Sequence, residues 1–253
     1  MFFLKDGASE HDSPVVGVEK NERRGKQETR SEVNQTLVSY AKVYTMKKPA
    51  ADDQVPALSR KEEILAAAAS LFRQQGFERT SVREIAQALG MTSGSLFYHF
   101  ASKEDLLVMI MEEGLRAITR SVQQARDSEA QLPQRLLAMM RRHLAALLGP
   151  RLDAMSVLLY EWRSLSPAAQ AKVLALRDAY EDLWTQSLQQ AADQGCIDAD
   201  VALVRQTLLG ALNWSAQWYK PGGRLDIDTL AQRMFVMLFP RMAVSLPQSL
   251  AVA

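Results

Sequence analysis

Between positions 80 and 103 lie Thr80, Ser81, Thr92, Ser93, Gly94, Ser95, Tyr98, His99 and Lys103. Together they have the chemistry of nucleic-acid contact. Hydroxyls and ring N–H or O–H groups donate to phosphate oxygens, and small residues let backbone approach the duplex. Lys103 follows Ser102, a helix-cap type, which puts a cation beside free backbone N–H groups where one phosphate can sit. Tyr98 and His99 are the strongest candidates. Each of Thr80, Ser81, Thr92, Ser93 and Ser95 is as apt to be a cap or a solvated hydroxyl as a DNA contact.

Two short helices must position these groups. Ser81 with Glu84 three residues later has capping-box spacing. Val82, Ile85, Ala86 and Leu89 then share one face. Gly90 stands where a left-handed C-terminal residue is expected. Met91 is an apolar plug, and Thr92 caps a second helix from Ser93 to His99 or Phe100. Leu96 and Phe100 face the core, which leaves Ser93, Gly94, Ser95, Tyr98 and His99 mostly outward. This is the helix-turn-helix plan, whose second helix enters the major groove.

The stretch 60–107 resembles the DNA-binding domain of the TetR family of bacterial transcriptional regulators. The residues that carry the likeness are RKEEILAAAASLFRQQGFERTSVREIAQALG followed by MTSGSLFYHFASKEDLL. Ser93 and Ala101 depart from it, since longer or basic residues are common there. The resemblance implies a regulator, usually a repressor, that binds a near-palindromic double-stranded operator as a homodimer and answers to a small-molecule effector. It implies a four-helix dimer interface from about 200–219 and 228–240.

Composition narrows the alternatives. The net charge is +1, and 60–105 holds six basic and six acidic residues, so general polyanion binding of a nucleoid type is disfavoured. The single cysteine, Cys196, excludes an intramolecular disulfide and a zinc site of several thiolates. No apolar run approaches the roughly 18 residues of a membrane span. The apolar start MFFL is too short for a secretory signal. A cytoplasmic protein is expected, with no cofactor. No GxSxG, HExxH, P-loop or GxGxxG is present, so no catalytic residue is assigned. The rival from another class is a helical carrier or enzyme with a vestigial DNA-binding module.

The whole chain reads as all-α. Residues 1–57, with nine basic and nine acidic residues, read as a disordered extension, with Met46 an alternative start. The DNA-binding domain is placed at 58–105, its first helix near 59–75. A helical effector-binding and dimerisation domain follows at 106–244, and a frayed tail at 245–253. A long helix near 103–126 links the two domains. Periodic apolar stripes give further helices, opened by Ser166-Pro167, by Asp198 or Asp200, and by Asp228.

Four tryptophans, several tyrosines and eight methionines lie beyond position 106, which suits either a bundle core or an apolar pocket. The resemblance favours the pocket. Its expected residues are Arg142, Tyr160, Arg163, Trp184, Trp214, Trp218 and Tyr219. Arg142 and His143 are read as a surface pair, with a position facing the ligand cavity as the alternative. The segment GALNWSAQWYKPGGRLD, 210–226, is similar to the end of the eighth helix in family members that respond to acyl-coenzyme A thioesters. In that reading Trp214 and Trp218 form an apolar wall, and Arg142, Arg163, Arg177 and Lys220 supply cations.

Overall fold

Capping side chains start most of the helices. The structure, a computed structural model, describes residues 58–149 and 152–246. Ser59 and Glu62 form a capping box that opens α1, Arg60–Gln75. Ser81 and Glu84 do the same for α2, Val82–Ala88. The Thr92 hydroxyl accepts from the Ser95 amide and starts α3, Ser93–His99. Between α2 and α3, Gly90 has a φ of 65°, the left-handed conformation that a residue with a Cβ adopts at a cost.

Ser102 caps α4, Lys103–Ser128, a helix slightly longer than the sequence pattern marks. α5 spans Leu132–Leu148. α6, Leu152–Tyr160, gives way to a 3₁₀ turn at Trp162–Ser164 rather than running on to Leu165. Ser166 caps α7, Pro167–Asp193, with proline in its first turn as expected. Asp200 caps α8, Val201–Trp218. α9, Ile227–Leu238, is capped by Asp226 instead of Asp228. A short α10, Pro240–Ala243, was not legible as a helix.

Two apolar cores share α4. The first joins α1, α2 and α3 through Ile64, Phe72, Ile85, Leu96 and Phe100. It does not stop at residue 105. It continues along α4 to Leu115 and takes in Ala154, Val157, Leu165 and Val173 from α6 and the start of α7. The second core begins at Ile118 and Val122 of α4 and gathers α5, the rest of α7, α8, α9 and α10. At the last described residues, Leu246 packs into this core and the Ser245 hydroxyl donates to the Met242 carbonyl, so these two residues are not frayed. The expectations for 1–57 and for 247–253 lie outside the described residues.

Candidate nucleic-acid interface and effector cavity

α3 presents the face expected of it. Leu96 and Phe100 are buried, and Gly94, Ser95, Tyr98 and His99 are exposed, Tyr98 to 88%. Ser93 is half-buried. The Tyr98 and His99 rings meet edge-on with centroids 5.4 Å apart, which holds both at the tip of the helix. Phe97, not singled out from the sequence, is also half-exposed on this helix.

The hydroxyls divide. Thr92 and Ser95 are exposed and 3.0 Å apart, and Thr92 also caps α3. Ser81 is exposed, and its backbone N–H donates to the Glu84 carboxylate. That bond, from N–H to carboxylate, is the main reason the Glu84 carboxyl stays below the usual carboxylate range. Thr80 needs correction. It is 1% exposed, and its hydroxyl donates to the Gly76 carbonyl at 2.8 Å. A buried side chain with a satisfied hydroxyl braces the turn after α1 and does not reach a phosphate.

Lys103 also has an internal role that its position in sequence does not reveal. Its ammonium donates to the Phe77 carbonyl at 2.9 Å and lies 4.1 Å from the centre of the Phe77 ring. It ties the start of α4 to the α1–α2 turn. A phosphate would have to compete with that carbonyl. The same turn is held from the other side, where the Phe77 N–H donates to the Glu161 carboxylate at 3.2 Å. Arg73 of α1 pairs with Asp153 of α6. The Glu104 carboxylate accepts from the Ser166 N–H at 2.6 Å, and this bond lowers its pKa.

Behind this framework lies a cavity of about 350 Å³, within the range of small-molecule sites. α4 contributes Leu115 and Ile118. α6 and the turn after it add Met155, Leu158, Leu159 and Trp162. The polar lining comes from His143 of α5, Arg177, Tyr180 and Glu181 of α7, and Asn213 of α8. Arg177 sits 5.4 Å from the Trp162 ring and 3.6 Å from Glu181.

His143 is no surface residue. It is 2% exposed, with Nδ1 2.5 Å from the Tyr180 hydroxyl and Nε2 3.0 Å from Asn213 Oδ1. Burial pushes its pKa down to about 4, partly opposed by the Asn213 contact, so the ring is neutral. Burial likewise raises the Tyr180 phenol above its ordinary value.

Of the residues expected to bind ligand, Arg177, one of the four expected cations, lines this cavity, and Arg142, Tyr160, Arg163, Trp184, Trp214, Trp218 and Tyr219 do not. Arg142 and Arg163 are exposed. Tyr160 is exposed, and its hydroxyl accepts from Gln217. Trp184 is fully buried one layer behind the lining, edge-on to His143 and Tyr180. Tyr219 packs against the second core. Trp214 and Trp218 are 66% and 47% exposed on α8. The apolar wall expected from them belongs to the outer surface of the subunit.

Comparison with known proteins agrees with this division of labour. Residues 64–110 match the family "Bacterial regulatory proteins, tetR family", and residues 129–242 match "Tetracyclin repressor-like, C-terminal domain". The chain belongs to the TetR family. Among similar TetR-family proteins is the HTH-type transcriptional repressor KstR2 of Mycolicibacterium smegmatis. It is 29% identical over 185 residues, which is 71% of this chain and 89% of that protein. The structure of AibR in complex with isovaleryl coenzyme A and operator DNA is 33% identical with a TM-score of 0.68. The match covers 72% of this chain and 99% of that one. A crystal structure of superantigen PfiT is 43% identical with a TM-score of 0.63, over 71% and 95% of the two chains. Among the described residues no helix is long and apolar enough to cross a membrane.

Proposed function

We propose that this chain is a cytoplasmic, ligand-responsive repressor and not an enzyme. It acts as a homodimer on a near-palindromic operator. The two α3 helices dock in successive major grooves, about 34 Å apart. Tyr98, His99, Ser93, Gly94, Ser95, Thr92 and Ser81 form the DNA-facing set. The observation that carries this reading is α4. Its first turns pack in the core of the DNA-binding module, and its middle, Leu115 and Ile118, walls the cavity. A ligand there acts on the helix that seats the recognition helix.

The dimer reading rests on α8 and α9. Leu203, Trp214 and Trp218 of α8 and Val236 and Met237 of α9 are large apolar side chains left exposed on one subunit. Gly210 lies on the same stripe of α8, and a Cβ there would meet nothing within 4 Å in its own subunit. A glycine inside a helix costs about 1 kcal/mol relative to alanine. Close approach of a partner helix gives it a reason. The effector is an apolar molecule. An acyl-coenzyme A thioester is the class favoured by the similarity of 210–226 and by the likeness to AibR.

Footprinting on DNA upstream of the chain's own gene tests the reading. Protection of one short palindrome is expected. Uniform protection would mean an architectural DNA binder, and no protection would reopen the carrier or enzyme reading.

A further inference from the structure

Beside the cavity runs a file of polar groups that release from DNA does not by itself require. Trp184, Tyr180, His143 and Asn213 succeed one another across α7, α5 and α8. The direction of every proton in this file follows from what each group can do. Trp184 is donor-only, fully buried, and its indole N–H has no partner at ordinary hydrogen-bond geometry. Its ring meets that of Tyr180 edge-on with centroids 6.4 Å apart. The Tyr180 hydroxyl is itself buried and must place its proton on an acceptor. His143 Nδ1, at 2.5 Å, is the acceptor in reach.

A neutral imidazole has one donor and one acceptor nitrogen. With Nδ1 accepting from Tyr180, the proton is on Nε2 and is donated to Asn213 Oδ1 at 3.0 Å. The orientation of the Asn213 amide is thereby set by the network. Its NH₂ group is left on a residue that lines the cavity, with no acceptor for it among the described residues. The polar end of the cavity is a neutral hydrogen-bond donor.

We infer that the cavity selects an apolar molecule bearing a neutral carbonyl oxygen, such as an ester, thioester, ketone or lactone, which accepts from the side-chain amide of Asn213. This deepens the proposed effector reading and rests on it. A carboxylate of the same length is disfavoured. Arg177, the cation of the lining, lies 3.6 Å from Glu181 and 3.7 Å from Asp178, ion pairs without a hydrogen bond at its Nε, and Glu181 is shared with Arg205. These two cations and two anions leave no net positive charge at that wall. A carboxylate entering there would face Glu181, which also lines the cavity. A ligand that covers the Asn213 amide without accepting from it leaves that donor unmatched, so an analogue lacking the carbonyl is discriminated against as well.

The test uses the full-length protein and three probes built on one eight-carbon chain. Methyl octanoate carries the carbonyl, octanoate is the carboxylate, and methyl octyl ether lacks the carbonyl. Calorimetric titration of the wild type should rank the ester at least about tenfold tighter than either of the others. In Asn213→Leu the advantage of the ester over the ether should shrink to within about twofold. Equal affinity for octanoate, or an ester advantage that survives in Asn213→Leu, overturns the inference.

Nitrogen NMR of the His143 ring reads the proton file with no ligand present. A protonated Nε2 and a bare Nδ1 are expected in the wild type. A proton on Nδ1 overturns the inference whatever the titrations give. The separation from the repressor reading is clean. If no probe binds but the operator is still protected in the footprint, this inference falls and the repressor reading stands. Loss of footprint protection as well removes both.

Discussion

His143 makes a prediction about stability that needs neither DNA nor effector. Its pKa is near 6.5 when unfolded and is depressed to about 4 by burial in the folded chain. The unfolded state therefore binds the extra proton first as pH falls. Stability from this residue is complete above about pH 6.5 and is lost progressively down to about pH 4. At about 1.4 kcal/mol per pH unit the full loss is about 3 kcal/mol. Between about pH 7 and pH 5 the share lost is about 2 kcal/mol. For a chain of this size that is a fall in Tm of about 4–8 °C beyond what other groups cause.

The measurement is urea or thermal unfolding at both pH values, for the wild type and for His143→Leu. The variant loses the contacts to Tyr180 and Asn213, so it starts lower. Its decline from neutral to acid should nevertheless be shallower by about 2 kcal/mol, because no imidazole titrates. Parallel declines in the two proteins would refute the burial of a neutral His143. A wild type that gains stability on acidification would refute the sign of the argument.

Three further outcomes follow from the same geometry. Tyr98→Ala should weaken operator binding in a gel-shift titration with Tm unchanged, since the ring is exposed and supports no core; wild-type affinity would remove α3 from the interface. Lys103→Ala should instead lower stability by about 1.5–3 kcal/mol, the range for a hydrogen bond to a charged group, and leave the salt dependence of DNA binding unchanged. A slope flattened by nearly one unit would restore it as a phosphate contact. In sedimentation, Met237→Asp should yield folded monomers because Met237 is 69% exposed, whereas Leu212→Asp should unfold the subunit because Leu212 lies in its own core; dimeric Met237→Asp would move the interface off α9.

Local signals were legible because their partners lie three or four residues away. The caps at Ser81, Thr92, Ser102 and Ser166 and the left-handed Gly90 are of this kind. Thr80 and Lys103 show the limit. Their partners are carbonyls of the α1–α2 turn, fixed only when α4 packs across it. The lining of the cavity has little local mark for a related reason. Aromatic type drew attention to Trp214 and Trp218, yet the inward phase of α8 runs through Leu208, Leu212 and Ser215 and turns both indoles outward. His143 carried a usable signal. It stands three residues after Met140 and seven after Leu136, inside the apolar stripe of α5, where a histidine is buried and must find partners. Those partners, on α7 and α8, are set by tertiary packing and have no local mark.

The polar contacts around α6 explain how a cavity and a DNA-binding face come to share one free energy. α6 and its 3₁₀ turn offer Met155, Leu158, Leu159 and Trp162 to the cavity. The same stretch offers Asp153 to Arg73 and Glu161 to the Phe77 N–H. Carboxylates on one side and cavity lining on the other belong to a segment of hardly more than three turns. A ligand that moves the apolar side must carry the carboxylates with it or break their bonds. Either way the turn between α1 and α2 feels it, and Lys103 joins that turn to the start of α4. Ligand and operator need only prefer different positions of this segment. Differential affinity is all that thermodynamics asks of a switch. The usual coupling of about 1–3 kcal/mol is no larger than one or two such charged hydrogen bonds.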